Sequence, residues 1–132
     1  MEVKIDTKEK FTVIQPLIHE FTANIAAAFI ETCSTILHQP VKNVILNLCD
    51  VSTIDDSLSN TLVDLQQQFY DNNASFVICN LTESVDAHLE KLELNELLNI
   101  TPTESEAWDI VQMEEIEREL MDSDDMSFEN ND

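Results

Sequence analysis

Glycine is absent from all 132 residues of this chain. Walker and Rossmann phosphate-binding loops need glycine at fixed positions so that the backbone can approach the phosphates, and both are thereby excluded. Cationic side chains are also scarce: six Lys+Arg stand against 27 Asp+Glu, a formal charge of -21. Such a chain repels phosphate backbones and anionic headgroups, so neither nucleic acid nor direct membrane insertion is expected, and a protein partner should bring a basic face. No segment approaches the ~18 consecutive apolar residues of a membrane span. The opening M-E-V-K-I-D-T-K-E-K lacks the apolar stretch of a signal peptide, so a cytoplasmic location is expected. Cysteines are three, an odd number, and Cys33, Cys49 and Cys79 all lie in apolar segments, which suits reduced core thiols better than disulfides. No C-x-x-C or paired-histidine spacing occurs, so no metal site is expected.

What is present is a regular alternation of β-prone and helical segments. Val3 and Ile5 alternate with polar neighbours and Phe11 to Ile14 follow a T-K-E-K turn, which predicts an N-terminal hairpin ended by Pro16. Thr22 is placed to cap a helix in which Ile25, Phe29, Cys33 and Ile36 share one face, ending near His38 before Pro40. Val44 to Leu48 reads as a short strand buried on both faces. A helix with Leu58, Leu62, Leu65 and Phe69 on one stripe follows, closed by D-N-N, whose asparagines tolerate left-handed backbone. Ser75 to Cys79 is the next strand, and Thr82 or Glu83 opens a helix burying Val85, Leu89 and Leu92 before a short Leu97–Ile100 segment. Thr101 or Thr103 caps the last helix, where Trp108, Val111, Met113, Ile116 and Leu120 are expected to pack. This order predicts an α/β fold with parallel crossovers: one domain over residues 1–121, followed by an acidic, disordered tail over 122–132.

The stretch from Val44 to Leu62 concentrates the candidate chemistry. An apolar strand ends in an acidic turn, and Asp55, Asp56 and Ser57 stand where a helix must begin. Adjacent carboxylates rarely aim at one point, and no spacing suggests a third ligand or a general acid/base companion, so helix capping is preferred to catalysis or magnesium binding. His19, His38 and His88 sit in separate segments and belong to no nucleophile motif. Negative charge at the first turn of a helix is tolerated or favoured, because unpaired N–H groups and the positive dipole end face it. A phosphate there would be held in the same way.

The wording of this turn resembles the STAS domain, a fold shared by sulfate transporters and bacterial anti-sigma factor antagonists. The family phrase looks like N-L-x-D-[LV]-S-x-[aromatic or aliphatic]-D-S-S-G-L, and here Asn47 to Ser59 read N-L-C-D-V-S-T-I-D-D-S-L-S. Leu62, Leu65, F-V-I-C-N-L, Val85, Leu89 and L-N-E-L-L-N-I-T-P-T-E-S-E-A-W continue the likeness to about residue 120. It implies a mixed sheet of four to five strands with a parallel part, covered by about four helices.

The resemblance further implies a non-enzymatic regulator without a cofactor, closest to stand-alone antagonists that bind a kinase-like anti-sigma factor and release it when a serine after the family aspartate is phosphorylated. Carried over, the aspartate is Asp55 and the serine position is Asp56, which no serine kinase can modify. A one-residue slip would make Asp56-Ser57 the pair, but would displace Leu62 and Leu65. The family glycine falls at Leu58, a bulky residue where a partner usually approaches closely. The implied contact surface is Glu20, Phe21, Thr22, Asp50, Thr53, Asp55, Asp56, Ser57, Leu58, Ser59 and Asn60. Two other roles fit the same fold: a subunit of an ABC-type lipid transport complex with an ATPase partner, and nucleotide binding, which the missing glycines and acidity oppose. Nothing in the sequence fixes the oligomeric state.

Overall fold

The computed structural model describes the backbone of residues 1–131 and the side chains of residues 1–121, so the expected tail at 122–132 falls outside the described side chains. Strands β1 (Val3–Thr7) and β2 (Thr12–Pro16) form the expected hairpin, with Ile5 opposite Ile14. The sheet continues in parallel through β4 (Val44–Asn47), β6 (Phe76–Cys79) and β7 (Ile100–Thr101), giving the order β1-β2-β4-β6-β7. A separate two-residue parallel pair joins β3 (Glu20–Phe21) to β5 (Thr53–Ile54). A 3-10 turn, Ala23–Ile25, leads into α1 (Ala26–Leu37), and three further helices follow: α2 (Asp56–Asp71), α3 (Glu83–Lys91) and α4 (Glu104–Asn131).

Strand residues alternate between two cores. Ile14, Val44, Leu46, Phe76 and Ile78 face the main core, where they meet Phe29 and Cys33 of α1, Leu62, Leu65 and Phe69 of α2, and Val85 and Leu89 of α3. Val13, Ile45, Val77 and Cys79 face the other side, where Ala107 and Val111 of α4 cover them. Burial on both faces explains why β4 and β6 read as unbroken apolar runs.

Among the described residues, the absence of glycine leaves three left-handed positions to other residues: Asn73, Asn80 and Glu93, with φ of 60°, 57° and 59°. Asn73 and Glu93 end α2 and α3 in the same way. At α3, the Glu93 N–H donates to the Glu90 carbonyl and the Leu94 N–H to that of Leu89, both at 2.9 Å. At α2, Asn73 donates to Tyr70 and Ala74 to Phe69. This paired closure is usually built on glycine.

Four expectations need correction. Thr22 makes no side-chain cap; the free Ala23 N–H is taken instead by the Asp55 carboxylate, 32 residues away. Cys49 is exposed, because it lies two residues beyond the end of β4, in the turn, and its side chain turns toward Gln15 rather than the core. Leu92 is only half-buried. Met113, Ile116 and Leu120 do not pack; they lie on the side of α4 away from the sheet and are 59%, 54% and 55% exposed.

Candidate functional site

The acidic turn lies at the carboxyl end of β4, where the chain must leave a parallel sheet and start a helix. Its lower layer is fixed by backbone bonds to distant elements. Ser52 and Thr53 N–H donate to the His19 carbonyl at 2.8 and 3.0 Å, and the Thr82 hydroxyl donates to the Val51 carbonyl at 2.9 Å. Val51 and Ile54 are buried, and the β3–β5 pairing sets Glu20 opposite Thr53 and Phe21 opposite Ile54. The Glu20–Thr22 segment thus stands beside the turn.

Asp55 is the fixed point of the site. Its Oδ1 accepts the Leu58 N–H at 2.8 Å, the N-cap bond of α2, while Oδ2 accepts the Ala23 N–H at 2.9 Å. One carboxylate therefore satisfies the first turns of two helical segments, where unpaired N–H groups and the dipole favour negative charge. Both oxygens are turned inward to backbone donors, so Asp55 holds the loop together.

Asp56, one residue later, points outward. Its side chain is 69% exposed, and its Oδ1 lies 2.7 Å from Nε2 of His88 on α3. A carboxylate can only accept, so His88 Nε2 carries the hydrogen. Sequence reasoning left His88 without a role; its 32-residue separation from Asp56 offers no local signal. Ser57 and Asn60 are exposed around Asp56, while Asp50 is exposed at the near rim and accepts the Gln15 side-chain N–H at 2.8 Å.

Three of the predicted contact residues are placed otherwise. Phe21, Leu58 and Ser59 are completely buried, so their side chains cannot touch a partner. Phe21 meets Phe29 edge-on with ring centroids 5.0 Å apart, Leu58 enters the main core, and the Ser59 hydroxyl donates to the Asp55 carbonyl at 2.7 Å. Leu58 therefore adds no bulk to the surface, because the third helical position here faces the core. What the turn offers outward is Glu20, Asp50, Thr53, Asp56, Ser57 and Asn60, with Thr22 and Asp55 half-buried among them.

Burial pushes the Cys33 and Cys79 thiols up to about 12, so both are neutral, and burial with the neighbouring Asp50 also raises Cys49. Among the described residues no cluster of three or more His, Cys, Asp or Glu is placed to hold a metal ion, and no helix is long and apolar enough to cross a membrane.

Solved structures share this fold. TM1081 from Thermotoga maritima superposes with a TM-score of 0.75 at 21% identity, covering 83% of this chain and 94% of its own. RsbS from Moorella thermoacetica, carrying a serine-to-glutamate substitution, matches with a TM-score of 0.69 at 14% identity, over 85% of this chain and 96% of that one. The Bacillus cell fate determinant SpoIIAA, an anti-sigma factor antagonist, in its phosphorylated form gives 0.61 at 18% identity, over 83% and 99%. At these identities the likeness establishes the fold. A search of curated proteins finds no match. The family model described as the STAS domain matches residues 2–107, most of the chain, and the chain belongs to the STAS domain family.

Proposed function

We propose that this chain is a non-catalytic regulatory module, related to anti-sigma factor antagonists, that binds a protein partner through the outward side of the turn, namely Glu20, Asp50, Thr53, Asp56, Ser57 and Asn60. Asp56 occupies the place of the family's phosphoacceptor serine and carries a permanent charge in its stead. The observation that carries this reading is the division of labour between neighbours: Asp55 spends both oxygens on backbone donors, whereas Asp56 stands exposed on the first turn of α2. That matches the register in which Asp55 is the family aspartate. SpoIIAA has been solved in unphosphorylated and phosphorylated forms, so a charge that comes and goes is a feature of that protein.

An aspartate supplies about one negative charge where phosphoserine supplies ~1.5–2, and His88 offsets part of it whenever the imidazole is protonated. The charge at this turn is therefore constant toward kinases and weaker than a phosphate. A partner that accepts it must have a basic or hydrogen-bonding contact face, as a kinase-like anti-sigma factor or a related regulator would. The test is affinity capture from the native host, with wild-type chain and the Asp56→Ala and Thr53→Arg variants as baits. One regulator held by the wild type and lost by both variants is expected. Recovery of the same proteins by all three baits removes the turn as the contact.

A further inference from the structure

The outer face of α4 carries apolar side chains that the fold does not use. Met113, Ile116 and Leu120 recur at i, i+3 and i+7, the spacing of a helix-pairing seam, and each is more than half exposed. The helix cannot roll to bury them. Its inner face is pinned by Ala107 and Val111 in the second core, by the Tyr70 hydroxyl donating to Glu114 at 2.6 Å, and by the Arg118 guanidinium donating to Asn43 and Ser75. At 100° per residue, positions 113, 116 and 120 lie opposite these anchors. Beside the seam a groove of about 650 Å³ opens between α4 and Lys10, floored by Trp108, Gln112, Met113 and Ile116.

Charge decides what can lie there. Glu117 and Glu119 occupy the two positions that flank such a seam, and Asp109 precedes it. From Trp108 to Met121 five carboxylates accompany a single cation, Arg118, whose guanidinium is turned inward. A second copy of this chain would set carboxylate against carboxylate along the seam, with a formal charge of -21 on each chain adding to the repulsion. Lys or Arg at the flanking positions of a different helix would meet Glu117 and Glu119 favourably. We propose that the Met113–Leu120 face of α4 docks an amphipathic helix from another protein, with apolar residues at heptad spacing and basic residues beside them. This surface is separate from the acidic turn and independent of its role.

The probe is a synthetic helix of roughly three heptads, with leucine at both seam positions and lysine at both flanking positions, titrated into the full chain at physiological salt. It should bind, and the charge-neutral double variant Ile116→Ser, Leu120→Ser should weaken it by about tenfold or more, with the far-ultraviolet dichroism unchanged. Asp56→Ala should bind as the wild type does. Equal binding by a peptide with serine in place of leucine would reduce the interaction to bulk charge and overturn the proposal. Equal binding by a peptide with glutamate in place of lysine, no binding by any peptide, or sedimentation as a dimer that the double variant dissociates would overturn it as well.

Discussion

Replacing Asp55 with alanine should destabilise the domain out of proportion to the size of the change. The substitution removes the N-cap bond to Leu58, worth about 1 kcal/mol, and the second carboxylate bond to Ala23, a charged bond worth about 1–2 kcal/mol at this partly exposed site. The two sum to about 2–3 kcal/mol, or roughly 10 °C in melting temperature for a domain of this length. Asp55→Asn keeps one acceptor but sets an amide N–H against the other donor, and should cost about half as much. Asp56→Ala loses only an exposed contact to His88 and a first-turn charge, under about 1 kcal/mol together. Urea unfolding followed by the fluorescence of Trp108, the single tryptophan, reads all three variants; the slope should be unchanged. A cost below about 0.5 kcal/mol for Asp55→Ala, or an equal cost for Asp56→Ala, would refute the division between a structural and a presented carboxylate.

The remaining predictions concern the core and the chain reversals. Burial raises the Cys33 thiol from 9.0 to about 12, so the folded state holds its proton more tightly than the unfolded state. That stabilisation is complete below pH 9 and is lost as pH rises toward 12, by up to about 4 kcal/mol for this thiol. Chemical unfolding across this range should show the decline, and Cys33→Ala, though less stable at neutral pH, should decline less steeply. Tyr70, also raised by burial and by Glu114, adds to the loss above pH 10. Glu93→Gly should stabilise the domain by about 0.5–1 kcal/mol, since the α3 closure needs φ near 59° and only glycine adopts it without steric cost; a loss of stability would contradict that account.

Much of the architecture is legible in local pattern. The apolar run of β4, the Leu58–Phe69 stripe of α2 and the Thr82 cap of α3 each carry a short-range signal that the structure follows, and Val3 and Ile5 mark the strand β1 although Ile5 is exposed there. The site is legible to the extent that a helix start is. Capping by the Asp55-Asp56 pair is legible at the start of α2, but not that Asp55 is the one that caps; its bond to Ala23 and the pairing of Asp56 with His88 join residues 32 apart, and no local pattern encodes them. The two-residue strands β3 and β5 are too short for period-two alternation. The outer seam of α4 misleads for the opposite reason: its apolar spacing is genuine, but spacing tells which residues share a face and not whether the fold covers that face.

The central claim is that the turn carries a fixed charge at Asp56 and does not toggle. The direct measurement is mass spectrometric mapping of residues 50–61 in the chain purified from its native host, with and without phosphatase inhibitors and after incubation with the host's serine kinases and ATP. The account predicts an unmodified peptide under every condition. Phosphate on Ser57 would contradict it, shifting the register by one residue and restoring a switch.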